Sequence, residues 1–208
     1  YPVGTTMLTY TATDESGNSE SCSFMVIVID EVAPTITCPP SPVVRNNAPG
    51  VCSYTVQPAD AAAFDAVGAD NCAAVTVTHN YAPAPSPNTL VGATFPVGSV
   101  IVTWIATDIF GNQSVICATT YTVVDNEAPV ITSCGNPAST FNTNPGVCTW
   151  KVPNTSFDPT FTDNCPGAVA THNFAMAPDE NTLNAAQFPV GTTTVIWTVT
   201  DAAGNIDT

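Results

Sequence analysis

The chain has 208 residues, 2 of them Lys or Arg against 17 Asp or Glu, for a formal net charge of −15. Gripping nucleic acid or an anionic membrane surface takes clustered cations, and Arg45 and Lys151 stand far apart in the chain, so both partners are excluded. Hydrophobic residues at 44% can fill real cores, and no run approaches the ~18 uninterrupted apolar residues of a membrane span.

Tyr1-Pro2-Val3-Gly4-Thr5-Thr6 opens the chain, and the motif returns as Phe95-Pro96-Val97-Gly98-Ser99-Val100 and Phe188-Pro189-Val190-Gly191-Thr192-Thr193, at offsets of 94 and 93 residues. An Asp-x-x-Gly-Asn block follows each copy, at Asp14 to Asn18, Asp108 to Asn112 and Asp201 to Asn205. Spaced blocks that keep one period mark tandem repeats, and a unit near 94 residues is the size of a small sandwich domain. Residues 1–30 read as the C-terminal part of a first repeat, 31–125 as a complete repeat and 126–208 as most of a further one. A tail as short as the first cannot bury a core alone, so it is expected to complete a domain supplied upstream or by another subunit.

Within the complete repeat, short strands are expected at Thr35 to Cys38, Cys52 to Gln57, Val75 to His79 and, more weakly, Thr89 to Thr94. Ser99 to Thr107 is β-branched and aromatic, runs into the turn Asp108 to Asn112, and is answered by a strand from about Val115 to Val124. The Pro-rich run Tyr81 to Pro87 cannot sit in a central strand. No segment holds a capped 3.6-residue apolar period. The fold class is therefore all-β, as tandem immunoglobulin-like β-sandwich domains.

The order Ala-Pro-Thr-Ile-Thr-Cys-Pro, Gly-Val-Cys, Asp-Asn-Cys, Phe-Pro-Val-Gly and Asp-x-x-Gly-Asn within one unit resembles the hyalin repeat (HYR) domain. That resemblance implies immunoglobulin-like modules strung in tandem in extracellular adhesive or matrix proteins, including large bacterial surface proteins, without a shared ligand. The last repeat departs from it at Ile131-Thr132-Ser133-Cys134, where the cysteine is shifted by one place and a bulge is expected.

Eight cysteines without a Cys-x-x-Cys pair point to disulfides in an oxidising, extracellular setting. In an immunoglobulin-like topology the first and last strands lie side by side, which favours Cys38 with Cys117. Cys52 then pairs with Cys72 and, by repetition, Cys148 with Cys165, while Cys22 and Cys134 are expected to find partners outside these residues. A rival scheme joins Cys22 to Cys38 and Cys117 to Cys134, bridging linkers whose flanking strands would separate beyond disulfide reach if they ran straight on.

Oxygen donors gather at the ends of the repeats. Asp30 and Glu31 lie in one linker, with Asp60, Asp65, Asp70 and Asn71 in one loop and Asp108 and Asn112 in another. The next repeat offers Asp125, Asn126 and Glu127, then Asp158, Asp163 and Asn164, then Asp201 and Asn205. Hard oxygen ligands from several loops suit Ca²⁺, which takes about 6 to 8 of them, and the metal set is read as Asp30, Glu31, Asp70, Asn71, Asp108, Asp125, Glu127, Asp163 and Asp201. The same Asp-x-x-Gly-Asn block also suits a plain hairpin turn.

His79 and His172 lack the nucleophile and orienting acid of a catalytic site and read as structural, as Trp104, Trp150 and Trp197 read as core. The function expected is a non-enzymatic extracellular array, a stalk, adhesin or filament subunit, whose partners are neighbouring repeats, identical subunits, or a cell-surface or polysaccharide ligand. The alternative is an accessory polysaccharide-binding module of a secreted enzyme, which would need exposed aromatics on one sheet.

Overall fold

The computed structural model describes residues 1–72, 74–135 and 140–208. The chain divides into two compact units. One comprises Tyr1–Val43, Val56–Ala93 and Val100–Tyr121; the other comprises Val44–Thr55, Thr94–Ser99 and Thr122–Thr208.

The first 28 residues form a hairpin of β1 (Gly4–Thr13) and β2 (Ser19–Val28), in unbroken register from Gly4 opposite Val28 to Thr13 opposite Ser19. One face carries a ladder of hydroxyl pairs, Thr9 with Ser23, Thr11 with Ser21 and Thr13 with Ser19, at 2.7 to 2.8 Å. The stretch 31–125 contributes β3 (Thr35–Thr37), β4 (Val43–Asn46) and β5 (Ser53–Thr55). A 3₁₀ turn (Pro58–Asp60) then runs into the one-turn helix α1 (Ala61–Phe64), followed by β6 (Val67–Ala69), β7 (Val75–His79), β8 (Thr94–Pro96), β9 (Gly98–Asp108) and β10 (Cys117–Val124). Its strands pair as β4-β10-β9-β7 and, separately, β3-β6 and β5-β8. The chain thus switches sheets between β3 and β4, as the first strand of an immunoglobulin-like sandwich does. The stretch 126–208 has β11 (Val130–Ser133), β12 (Thr149–Lys151), β13 (Thr160–Thr162), β14 (Val169–His172), β15 (Gln187–Pro189), β16 (Trp197–Thr200) and β17 (Ile206–Asp207). The pairs β11-β13, β12-β15 and β14-β16 restate β3-β6, β5-β8 and β7-β9. The register of β11 shifts between Ile131 and Ser133, which absorbs the displaced Cys134 as a bulge.

Burial alternates strictly along β9, where Val102, Trp104, Ala106 and Asp108 point inward. In the same unit Val56, Phe64, Leu90, Ala93 and Tyr121 are buried, with the Phe64 and Tyr121 rings stacked at 5.2 Å. Gly68 is required here, because a Cβ would come within 2.8 Å of both the Val75 and Val77 methyls. The other unit has its own core of Val152, Ala170, Leu183, Ala186, Trp197 and Val199, with Trp150, Phe157, Phe161 and Phe188 packed against it. Full burial of a large apolar side chain contributes roughly 1.5–3 kcal/mol, so either cluster suffices to organise its strands.

Three segments differ from the sequence expectation. Thr89 to Thr94 is irregular, because Leu90 N–H is taken by the Asp65 carboxylate at 2.8 Å and Gly92 has φ +82°. The short β4 and β6 carry no alternating pattern long enough to be read as strands.

Cys38 is bonded to Cys117, with Cα atoms 5.9 Å apart, and Cys52 to Cys165, at 4.8 Å. The expected pairs Cys52–Cys72 and Cys148–Cys165 are therefore corrected: Cys72 and Cys148 are exposed thiols, as are Cys22 and Cys134. The reason lies in where the two loops go. Cys52 follows the Pro49-Gly50 turn, which is tied to the linker after β10: Asn47 N–H donates to the Val124 carbonyl, Asn126 N–H to Asn47 Oδ1, and Gly50 N–H to the Glu127 carboxylate at 2.9 and 3.0 Å. Cys72 instead follows β6 and sits beside Asp30 of the preceding linker. The two sulfurs are held against different linkers.

Candidate functional site

Three carboxylates meet in the second unit. Asp125 comes from the linker after β10, Asp163 from the loop after β13 and Asp201 from the end of β16, with one oxygen of each lying within 4.8 Å of the others. Asp125 and Asp201 are buried. In the first unit Asp30 and Asp70, the counterparts of Asp125 and Asp163, converge in the same manner with the Cys72 thiol beside them.

The Asp-x-x-Gly-Asn blocks explain how one wall is built. Asp201 Oδ1 accepts the Ala203 and Asn205 N–H groups, its Oδ2 accepts the Asn205 side-chain amide, and that amide also donates to the Asp125 carbonyl at 3.3 Å. Asp108 and Asn112 repeat every one of these bonds, ending on the Asp30 carbonyl. Asp14 and Asn18 repeat the turn itself. The aspartate shapes the turn in all three copies, and in two of them the asparagine, Asn112 or Asn205, also fastens it to the linker. These donors hold the Asp201 carboxyl below the usual range despite the opposing effect of burial, which is the largest single influence on it.

Asp163 is the opposite case. Both its oxygens are buried without a hydrogen-bond partner, and so is Oδ1 of Asn164. Desolvation above all, with the charges of Asp125 and Asp201, pushes the Asp163 carboxyl up; the Cys165 and Asn164 amides pull the other way without reaching hydrogen-bond geometry. Asp30 Oδ2 is likewise buried and unpartnered. Two like unit charges about 5 Å apart repel by on the order of 3 kcal/mol at an effective dielectric of ~20, so three converging carboxylates call for a counter-charge. The donor set is hard oxygen throughout in the second unit, and its orphaned oxygens fit a divalent cation of the Ca²⁺ type.

Other sequence candidates lie apart. Glu127 is committed to Gly50 N–H, and Glu31 and Asn71 are exposed, with the Asn71 amide donating to Cys72 Sγ at 3.0 Å. Glu127 aligns with Val32, which already distinguishes it from the recurring acids. Asp108 raises the Cys72 pKa by its charge, as Asp30 and Asp70 do, after the larger effect of desolvation. Asp60, Asp65 and Asp158 serve the fold: Asp60 Oδ2 accepts Gln57 N–H, Asp65 binds Thr89 Oγ1 and Leu90 N–H, and Asp158 binds Thr182 Oγ1 and Leu183 N–H.

The histidines are fixed in matching ways. His79 Nδ1 accepts Tyr81 N–H, leaving Nε2 to donate to the Thr89 carbonyl, and the ring stands edge-on to Trp104 at 4.9 Å. His172 repeats this with Phe174, Thr182 and Trp197. Both are structural.

These features define tandem, disulfide-bonded, immunoglobulin-like β-sandwich repeats with acidic linkers. The HYR domain profile matches residues 1–28 and 29–123, and the chain belongs to the HYR domain family. It is 32% identical to Hyalin of Strongylocentrotus purpuratus over 210 residues, covering 99% of this chain and 15% of that protein. It is 30% identical to Hyalin of Lytechinus variegatus over 204 residues, covering 97% of this chain and 34% of that protein. The chain thus spans about a third or less of these relatives, and they are animal proteins, so the bacterial setting is not supported. Among solved structures, the protocadherin GammaB4 extracellular domain aligns over 99% of this chain and 37% of its own at 16% identity, with a TM-score of 0.40. No helix among the described residues is long and apolar enough to cross a membrane.

Proposed function

We propose that this chain is part of a non-enzymatic, extracellular adhesive repeat array, a stalk, adhesin or filament subunit, whose linkers are stiffened by Ca²⁺. The observation that carries the reading is the meeting of Asp125, Asp163 and Asp201, with unpartnered Asp163 oxygens, and its restatement at Asp30 and Asp70. Asp125, Asp163, Asp201 and the Asn164 carbonyl would hold the ion. It would supply charge neutralisation and a fixed angle between linker and loops. Family membership supports the adhesive role, and the Cys38–Cys117 bond supports a load-bearing one, because it closes a loop of 79 residues that tension cannot unravel.

Burial of Trp104, Trp197 and Tyr121 weighs against the polysaccharide-binding alternative, which would have to rest on the exposed, stacked Tyr10 and Phe24 of the β1–β2 hairpin. The test is thermal unfolding of the full chain in millimolar Ca²⁺ against EDTA. Saturation at about 100 times Kd stabilises by about 2.7 kcal/mol per site, a rise of several degrees. Identical melting in both buffers, with no calorimetric binding signal, would sink the calcium reading.

A further inference from the structure

We infer that Cys72 and Cys148 are each half of a disulfide to a neighbouring HYR repeat: Cys72 to a cysteine of Gly-Val-Cys type, Cys148 to a cysteine of Asp-Asn-Cys type. The inference rests on the repeat-array reading and is independent of calcium.

The chain holds two copies of each half-site, and one bond shows how the halves fit. Cys52, at the end of Pro49-Gly50-Val51-Cys52, is joined to Cys165, at the end of Asp163-Asn164-Cys165. Cys148 ends the same Pro-Gly-Val-Cys turn and Cys72 the same Asp-Asn-Cys loop.

The local structures agree as closely as the sequences. Gly50 and Gly146 have φ of +73° and +78°, a conformation that favours glycine. Ala48 and Asn144 donate their N–H groups to the Ser53 and Thr149 carbonyls, both at 2.8 Å. The return bonds, from Val51 to Ala48 and from Val147 to Asn144, are 3.1 and 3.3 Å. In the other half-site, Asn71 Nδ2 donates to Cys72 Sγ at 3.0 Å and Asn164 Nδ2 to Cys165 Sγ at 3.5 Å. The bonded Cys165 is buried, whereas Cys72 and Cys148 are exposed. Each exposed sulfur therefore sits in a cradle already shown in this chain to accept the complementary half.

The oxygen cluster gives a separate reason. With Cys165 in a disulfide, the Asp125, Asp163, Asp201 site is purely carboxylate, while the matching site at Asp30 and Asp70 has a thiol within ligand distance. Bonding Cys72 would take that thiol out of the site and leave carboxylates alone there, as at Asp125, Asp163 and Asp201.

In the reaction two thiols form one S–S bond and release two protons and two electrons. The electrons pass by thiol–disulfide exchange to the disulfide of an oxidoreductase of the secretory or extracellular compartment, which leaves as a dithiol. The partner cysteine comes either from another repeat of the same polypeptide or from a second copy, in which case Cys148 of one copy can serve Cys72 of the next.

Denaturation of the native full-length protein in N-ethylmaleimide, followed by non-reducing Asp-N digestion and mass spectrometry, tests this. The Cys72 peptide should be unalkylated and linked to a Gly-Val-Cys peptide, and the Cys148 peptide to an Asp-Asn-Cys peptide. Gels with and without reductant then separate the two sources: an intermolecular bond gives a ladder that collapses on reduction, and an intramolecular one does not. Alkylated Cys72 or Cys148 beside an intact Cys52–Cys165 link overturns the inference alone. Links from Cys52 to Cys72 and from Cys148 to Cys165 overturn it and leave the array reading standing, whereas a Cys38 not linked to Cys117 removes the covalent support of that reading.

Discussion

Asn112 donates its side-chain amide to the backbone carbonyl of Asp30, 3.1 Å away, and so pins the turn after β9 to the linker that enters the repeat. The same amide also holds Asp108 Oδ2 at 2.8 Å. Asn112→Ala breaks both bonds and leaves a partly buried carbonyl and a carboxylate oxygen to find water. The expected cost is about 1–3 kcal/mol, readable in urea unfolding, and Asn112→Asp should cost more by placing a third acid beside Asp30 and Asp108. An unchanged midpoint for Asn112→Ala would show that the linker is held without this contact.

Asp163→Asn separates repulsion from ion binding. In EDTA near neutral pH the variant should melt higher than the parent, because one of three converging charges is gone; in Ca²⁺ it should melt lower and lose the calcium-dependent rise. The pH dependence follows from the raised pKa of Asp163. A carboxyl raised in the folded state favours folding below its unfolded pKa, near 3.8, and that benefit is lost as pH climbs through the folded value. The EDTA advantage of the variant should therefore shrink toward acid. A variant that keeps its full calcium response would remove Asp163 from the site.

The repeat period and the β-branched runs made the sandwiches legible, because alternation along Ser99 to Thr107 survives directly as the inward row Val102, Trp104 and Ala106. Which acids converge was legible in part. Asp30, Asp70, Asp125, Asp163 and Asp201 recur at matching places, whereas Glu127 aligns with Val32 and is drawn to the Gly50 turn. The partner of Cys52 was not legible. Spacing along the chain cannot tell which end of a sandwich a loop reaches, and Cys52 and Cys72 are close in sequence while held against different linkers. Asp65 and Asp158 were misplaced for a related reason, although each stands 24 residues before the threonine hydroxyl it binds, a repeated spacing that marks a structural pair.

That pair should matter for stability. Asp158 accepts the Thr182 hydroxyl at 2.6 Å and the Leu183 N–H at 2.8 Å, and Leu183 is buried in the core beside Trp197. Asp158→Ala strands a buried N–H, and the expected loss is about 2–4 kcal/mol. Asp158→Asn should recover part of it, since the amide oxygen still accepts one bond. Guanidinium melts of the two variants give the comparison; equal losses would mean that charge, rather than acceptor geometry, holds the loop.

Tyr121 supplies an alkaline limit. Its ring is buried against Phe64, its hydroxyl donates to the Phe64 carbonyl, and burial pushes its pKa from 10.0 up to about 12. A phenol raised in the folded state contributes stability that is complete below the unfolded value and is lost as pH rises through the folded one, so the window is pH 10 to 12. Over that window the chain should lose at most about 2.8 kcal/mol, at about 1.4 kcal/mol per pKa unit. Tyr121→Phe should be less stable near neutrality by about 1–2 kcal/mol, because the Phe64 carbonyl loses its donor, and its stability should fall less steeply between pH 10 and 12. Phenolate absorbance near 295 nm, followed beside circular dichroism, reads both effects, and a Tyr121 that ionises with the exposed tyrosines before any unfolding would contradict the buried hydrogen bond.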